Sequence, residues 1–517
     1  MGWGIARRHQ ELRRAAFFSG RGTVFAAAQA LMRSFYAACD LGVESGRVML
    51  GSLHEGALTM SEVRRFPNLP IQEKGSLQWN IPQLYQEIVA GLCDIGAYEE
   101  AVQSISCNSW AGDYLLFDGK SGLITPTFHH ADPRLQEGRE RVLARVPLET
   151  IYEETGVQHA PGSTLFQLGA EKSRRLSKAA HLLPVADAFN YLLAGIPRAE
   201  ISLASTTQLW NPVTGDWSRR LLEAVDLPPA LLPPLVPAGT PLGPLRTEIA
   251  QKTALQDARV VSSCSYETAA ALLGLPIADN ESWAFLRLGS WAVMGTEIAA
   301  PIINETSRQL NFTNEIGYGG SVRFSKQTVG LWILEECRRF WKQQDREIDD
   351  DLLTHLAGSA PAFESLINPN DPRFQAPGDM PLKIQAYCRE TSQLVPRKPG
   401  PIIRCVLESV ALLHRKTLSE IEQLTGRKIE CLYLLGGSAN ALLNHFTANA
   451  VQRPVIVAPA DTTATGNVLG QALALGHIRS LSEARDVVRK GLKLQKLIPY
   501  AVAWDAAYAR LSRLISG

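Results

Sequence analysis

Two stretches of this chain follow one plan without sharing a sequence. Residues 34–53 read as an apolar strand, an acidic glycine-bearing turn and a second strand. Residues 283–298 read the same way, with Gly289-Ser290-Trp291 at the turn. Each half then carries a buried strand that leads into a helix. In the first half Arg259–Ser263 precedes the small-residue helix Thr268–Leu273. In the second Cys431–Leu435 precedes Ala441–Val451, across the tight turn 436–440. A chain of 517 residues is too long for a single core. The pattern predicts an α/β protein of two domains related by structural duplication. Glu267 falls where the first half hands over to the second. An acid there is either a plain helix N-terminal residue, favoured by the helix dipole, or a carboxylate aimed from a strand end into a cleft.

Charge narrows the function. The 52 basic and 51 acidic residues balance, which argues against nucleic acid or a membrane surface as partner. No apolar run reaches the roughly 20 residues needed to span a bilayer. The eight cysteines are scattered without a CxxC pair, so zinc and a disulfide framework are not expected. A reducing, cytoplasmic compartment fits. Residues 1–32 stand apart: they hold five arginines between Arg7 and Arg21 and one acid, Glu11. They resemble a transit peptide, a disordered arm, a surface helix or a segment upstream of a start at Met32; the last is preferred.

In the first half, Ser34–Cys39, Val48–Leu53 and Leu58–Phe66 read as a three-stranded meander. Amides freed by Gly42 and Gly46 could cradle a phosphate, with Arg47 as counter-charge and Asp40 holding Mg²⁺ through water. The alternative is an ordinary hairpin with a polar tip. Asn80 caps a helix running to about Asp94. The strand Val102–Cys107 ends at Asn108, Trp110, Ala111 and Asp113. In an open α/β sheet that is a ligand-facing end, where Asn108 and Asp113 could bond sugar hydroxyls and Trp110 could pack on a sugar face. Equally, Trp110 could be core and the polar residues turn caps. Tyr114–Asp118 and Leu123–Phe128 read as a hairpin, and 149–155, 164–175 and 185–193 as helices. The proline-dense 227–245 reads as extended connector. Later, 311–320 reads as loop, Lys326–Phe340 as a helix, Ile402–Leu424 as a long amphipathic helix and Pro454–Ala458 as a strand. Thr462 opens a final small-residue helix.

Together these stretches resemble the FGGY family of carbohydrate kinases, and within it the rhamnulokinase branch. The resemblance spans residues 34–480. It is carried by DLGVESGRVML (40–50), NSWAGDY (108–114), ASTTQLWNPVTGDW (204–217), NFTNE (311–315), GLWILEECRR (330–339), GGSANALLNHFTANA (436–450) and TATGN (463–467). It implies an actin-like, ribonuclease H-like two-domain ATPase fold, with mixed sheets flanked by helices and a central cleft. The expected boundaries are 33–272 for a sugar-binding domain, 273–490 for a nucleotide-binding domain and 491–517 for a tail helix. The implied substrates are ATP with Mg²⁺ and a small sugar, a ketose such as L-rhamnulose; a monomer or homodimer is expected.

Matched residue by residue, the resemblance places Val43, Glu44, Ser45, Gly46 and Arg47 on the ATP phosphates. Gly289, Ser290, Glu335, Gly436 and Gly437 fall beside the nucleotide. Asn108, Trp110, Ala111, Asp113, Tyr266, Thr268 and Gln327 fall around the sugar. Glu267 stands at the catalytic aspartate of a Gly-His-Asp-Thr motif, with Tyr266 in place of the histidine. Other departures are Ala111 for Gly, Gln327 for Asn, Asn108 for Asp, Leu435 for the first of three glycines, and Arg287-Leu288 for two serines. Glu is one methylene longer than Asp, about 1.3–1.5 Å of reach. A misplacement of about 1 Å can cost on the order of 100-fold in rate. Two functions follow: a sugar kinase with Glu267 as general base, or a kinase-like protein that binds nucleotide or sugar without transferring phosphate.

Overall fold

The computed structural model describes residues 33–98, 101–436, 440–491, 494–500 and 503–516. The expectations for 1–32 and for Gly437 lie outside these residues. The first sheet is built from β1 (Ser34–Leu41), β2 (Ser45–His54), β3 (Ala57–Pro67), β4 (Val102–Ser109), β5 (Thr240–Pro244) and β6 (Arg259–Ser262), in the order β5-β6-β4-β1-β2-β3. The second holds β7 (Trp283–Arg287), β8 (Trp291–Ile298), β9 (Thr313–Ile316), β10 (Val322–Val329), β11 (Cys431–Leu435), β12 (Val455–Val457) and β13 (Gln495–Leu497). Its order is β9-β10-β8-β7-β11-β12-β13.

The duplication is visible in the pairing. β1 pairs antiparallel with β2 and parallel with β4; β7 pairs antiparallel with β8 and parallel with β11. Beyond β4 and β11 lie a further parallel strand, β6 or β12, and then an antiparallel edge strand, β5 or β13.

Side-chain alternation along β1 explains why it is central. Phe35, Ala37, Cys39 and Leu41 pack toward α1 (Ile81–Gly96) and α2 (Val185–Ala194). Tyr36 and Ala38 face the opposite way, onto α3 (Glu267–Leu273) and α7 (Thr462–Ala474). α3 is shared between the sheets. Its Ala269, Ala270 and Leu273 face the first, while Ala271 and Leu272 pack with Phe285 and Tyr433 of the second. Backbones touch where α3 and α7 cross. A Cβ on Gly466 would lie 1.7 Å from the Ala270 carbonyl oxygen, and one on Gly274 would lie 2.3 Å from that of Thr462. Small residues here are a steric requirement.

The helices α4 (Trp332–Lys342), α5 (Pro399–Thr425) and α6 (Ala441–Val451) flank the second sheet, and α8 (Leu481–Gly491) returns to the α3–α7 layer. Asn80 caps α1 as its sequence predicts, accepting from the Gln83 amide.

Five local expectations are corrected. Lys326–Phe340 is not one helix: β10 runs to Val329 and α4 starts at Trp332. Gly330 sits between them, where a Cβ would lie 2.3 Å from the Gly289 carbonyl oxygen. The apolar spacing across 329–337 joins a strand end, a turn and a helix. The 311–320 loop contains β9, the edge strand beyond β10. The expected hairpin is present only at its turn, where Phe117 bridges Leu123 and the Ile124 amide donates to the Leu116 carbonyl at 2.8 Å; the strand partner of Tyr114–Phe117 is His181–Pro184, and Thr127–Phe128 joins Ser76–Trp79. Buried Leu116 and Leu182 meet in a separate core that a local alternation cannot foresee. The 164–175 helix is two, Thr164–Gly169 and Ser173–Leu176. The proline-dense connector supplies β5, and prolines are tolerated there because it is an edge.

Candidate active site

The strand ends of both sheets converge where α3 begins. On the first lobe the turn between β1 and β2 is closed by the Gly42 amide donating to the Ser45 carbonyl, 2.9 Å, and braced by Asn68 on the Gly42 carbonyl, 2.8 Å. The Gly42 amide is therefore used within the turn and is not free for a phosphate, as the sequence had implied. Gly46 is needed for another reason: a Cβ would strike the Phe66 ring at 2.3 Å. Val43 and Glu44 form the exposed tip, with Ser45 half-buried.

Asp40 is the last polar residue of β1. Arg47 donates to its Oδ2 at 2.5 Å and reaches Asp461, ahead of α7, at 2.9 Å. Asn108 donates to the other Asp40 oxygen at 2.6 Å. Burial pushes the Asp40 carboxyl up, against the opposing pull of Arg47 and Asn108; the nearby Glu267 charge adds to the rise. With both oxygens already accepting, Asp40 fits an outer contact to a hydrated ion. Among the described residues no three His, Cys, Asp or Glu side chains form a metal cage.

Asn108, expected beside the sugar, joins a buried network. It lies inside β4, fully buried, and accepts from Asn467 of α7 at 2.8 Å. Asn467 in turn accepts from Gln471, 2.7 Å, which is bonded to Ser104 of β4, 2.6 Å. This amide ladder ties the first sheet to α7, and Asn108 is part of it. Asp113 and Trp110 are buried in the same way. Asp113 is 2% exposed and accepts from the indoles of Trp79 and Trp110, from Gln167 and from His130, at 2.7–2.8 Å. Trp110 packs on Trp79 with ring centroids 4.6 Å apart. Together they form a buried wall of side chains in which both Asp113 oxygens accept hydrogen bonds. Ala111 stays half-buried beside them. Trp79, His130 and Gln167 are parts of this wall that sequence reasoning missed, since each sits on a different element.

Glu267 opens α3 and its side chain is 20% exposed. Arg287, the last residue of β7 on the other lobe, donates to it in a short ion pair. Tyr266 caps α3, and the Arg323 guanidinium lies 4.9 Å from its ring centroid. Burial raises the Tyr266 phenol, yet the Arg323 and Arg287 charges together bring it below its ordinary value, with Thr268 bonding to it. Thr268 is itself buried.

Below this corner lie two buried acids absent from the expectations. Glu200 accepts from the Ser265 amide at 2.8 Å, and Asp187 accepts from the Ser265 hydroxyl at 2.7 Å. Burial drives both upward, Glu200 to about 7; the Glu200 charge adds to the rise of Asp187.

On the second lobe the turn after β7 is tied to the start of α4. Leu331 and Trp332 amides donate to the Gly289 and Ser290 carbonyls at 2.8 and 3.1 Å. The Ser290 hydroxyl donates to Glu335 at 2.6 Å, which brings those two residues together. Gly436 follows β11 in the left-handed region, φ 78°, a conformation that favours glycine. Gln327 is exposed on β10, its amide 3.4 Å from the Gln158 side-chain oxygen.

Two family models divide the chain. The N-terminal domain of the FGGY family of carbohydrate kinases matches residues 35–274, and the C-terminal domain of that family matches 284–475. The chain belongs to the FGGY family of carbohydrate kinases. Among its relatives, a rhamnulokinase of Bacteroides thetaiotaomicron is 36% identical over 489 residues, covering 94% of this chain and all of that one. A rhamnulokinase of Bacillus subtilis is 33% identical over 465 residues, covering 90% of this chain and 95% of that one. Solved structures share the fold at low identity. A ligand-bound xylulose kinase of Lactobacillus acidophilus superposes with a TM-score of 0.78 at 15% identity, over 93% of this chain and 96% of that one. Plasmodium falciparum glycerol kinase with ADP gives 0.76 at 12%, over 93% and 97%. The FGGY chain described here thus has the actin-like two-domain architecture, and its reaction is ATP-dependent phosphorylation of a sugar.

Proposed function

We propose that the sugar is a ketose of the rhamnulose type and that Glu267 takes the proton from its reacting hydroxyl. The observation that carries this reading is the place of Glu267. It is a partly exposed carboxylate at the start of a helix packed against both sheets, facing the strand ends of the second lobe. Phosphoryl transfer is mostly positioning and charge stabilisation, so a fixed carboxylate within reach of a hydroxyl is the main chemical group such a site requires. The rhamnulokinases matched over about nine-tenths of this chain support the sugar class.

In this reading residues 33–272 hold the sugar, 273–490 hold the nucleotide, and the protein works in the cytoplasm. The exposed tip Val43-Glu44, the Ser290–Glu335 pair and the Gly436 turn line the nucleotide side; Tyr266, Ala111 and Gln327 line the sugar side. Magnesium bound to the nucleotide phosphates would neutralise charge that develops during transfer. Asp40 would hold it through water, and Arg47 keeps Asp40 in place. Closure of the lobes would exclude water from the site.

A panel of ketoses and deoxy-ketoses assayed for ADP release tests the reading, with calorimetry on the same sugars. The expected result is robust turnover of rhamnulose or a near relative. Binding without turnover across the panel would overturn it.

A further inference from the structure

Three residues at which the resemblance implies other side chains meet in space, two of them adjacent in sequence and the third 20 residues further on. The resemblance implies histidine and aspartate at the positions of Tyr266 and Glu267, and a serine at that of Arg287. In the structure Arg287 pairs with Glu267, and its charge acts on Tyr266. A serine at 287 has no charge and too little length for this contact.

We propose that Arg287 is a positioning residue for Glu267, and that Glu267 and Arg287 form an exchanged pair in which the guanidinium of one lobe fixes the longer acid of the other. The proposal rests on the reading of Glu267 as base. An extra methylene adds a rotatable bond and about 1.3–1.5 Å of reach, so an unrestrained Glu267 would spend little time where a shorter acid would sit. The α3 backbone cannot retreat to compensate, because a Cβ at Gly466 would already overlap the Ala270 carbonyl. The carboxylate must therefore be fixed by a contact to its head. Arg287 supplies it from the end of β7, where its backbone is in register with Val293 and Leu435 of the neighbouring strands. Asp40 is the opposing influence: its charge acts against that of Glu267 across the seam. Tyr266 completes the corner, its ring between Arg323 and the pair.

The test uses the full-length enzyme with its best sugar and steady-state kinetics for both substrates. Arg287→Ala is expected to lower kcat on the order of 100-fold, with the KM for sugar and for ATP changed less than about threefold. Arg287 is half exposed and its removal should leave the unfolding midpoint in place. Arg287→Lys, which keeps the charge but not the fork, should recover about tenfold of the loss. Glu267→Asp should lose on the order of 100-fold alone, and adding Arg287→Ser should cost nothing further, because the shorter acid no longer reaches the guanidinium. An unchanged kcat in Arg287→Ala, no rescue by lysine, or independent multiplication of the two losses would overturn the proposal. If Glu267→Gln is inactive while Arg287→Ala is normal, only this proposal falls. If Glu267→Gln matches wild type, the reading of Glu267 as base falls with it.

Discussion

The turn after β1 and the turn after β7 are equivalent by topology, and their charged side chains are used differently. The first is locked by charge: Asp40, Arg47 and Asp461 form a chain that runs from β1 to the start of α7. The second is tied to the start of α4 by backbone hydrogen bonds and by the Ser290 hydroxyl on the Glu335 carboxylate, and its arginine is left to reach across to Glu267. The difference teaches that topology sets where the two turns face, while local side chains decide which one is stiff and which one can respond. In this chain the first turn and the seam behind it form the fixed frame, and the second turn carries the adjustable contact.

Four experiments would break or sharpen this contrast. Arg47→Ala should have the largest effect, since it leaves the buried Asp40 without its cation. A loss of about 3–5 kcal/mol in urea unfolding is expected, and a loss under about 1 kcal/mol would mean the first turn is not charge-locked. Gly466→Ala tests the seam itself. The added methyl must displace α7 from the Ala270 carbonyl, at a cost of about 3 kcal/mol, seen as a lower unfolding midpoint and weaker protection of α3 amides from exchange.

The third experiment uses pH. Glu200 is raised by burial to about 7 from an ordinary 4.5, so the folded state holds its proton longer than the unfolded state does. The stability it contributes is complete below about pH 4.5 and is lost as pH rises through about 7. Glu200→Gln should flatten that fall, measured as unfolding free energy between pH 5 and pH 8. A slope as steep as that of wild type would remove Glu200 from the account. Ser290→Ala should have the smallest effect, about 1 kcal/mol for one hydrogen bond to Glu335, with a modest rise in the KM for ATP.

The sequence makes one part of this legible and hides another, for a physical reason. Strand–turn–strand units, the Asn80 cap and the place of Glu267 at a strand-to-helix junction are written in local periodicity and turn chemistry. Partner choice is not. Tyr114–Phe117 could not be seen to pair with His181–Pro184, because that register is set by the Leu116–Leu182 core. Likewise Asn108 stands at a ligand-facing strand end, but its direction is fixed by Asn467, 359 residues later. Trp110 and Asp113 read equally as sugar contacts or as core and turn caps; the sequence does not show that Trp79, His130 and Gln167 come from other elements to cover them. The Arg287–Glu267 contact is hidden for the same reason: each residue looks like an isolated departure until the lobes are brought together.

Sugar-dependent ADP release by wild type and by Glu267→Gln, on the same sugar at saturating ATP, puts the greatest strain on the account. Glutamine keeps the size of the side chain and removes its ability to take a proton. The prediction is a fall in kcat on the order of 10²–10⁴-fold with the sugar KM nearly unchanged. Equal rates for the two proteins would contradict it.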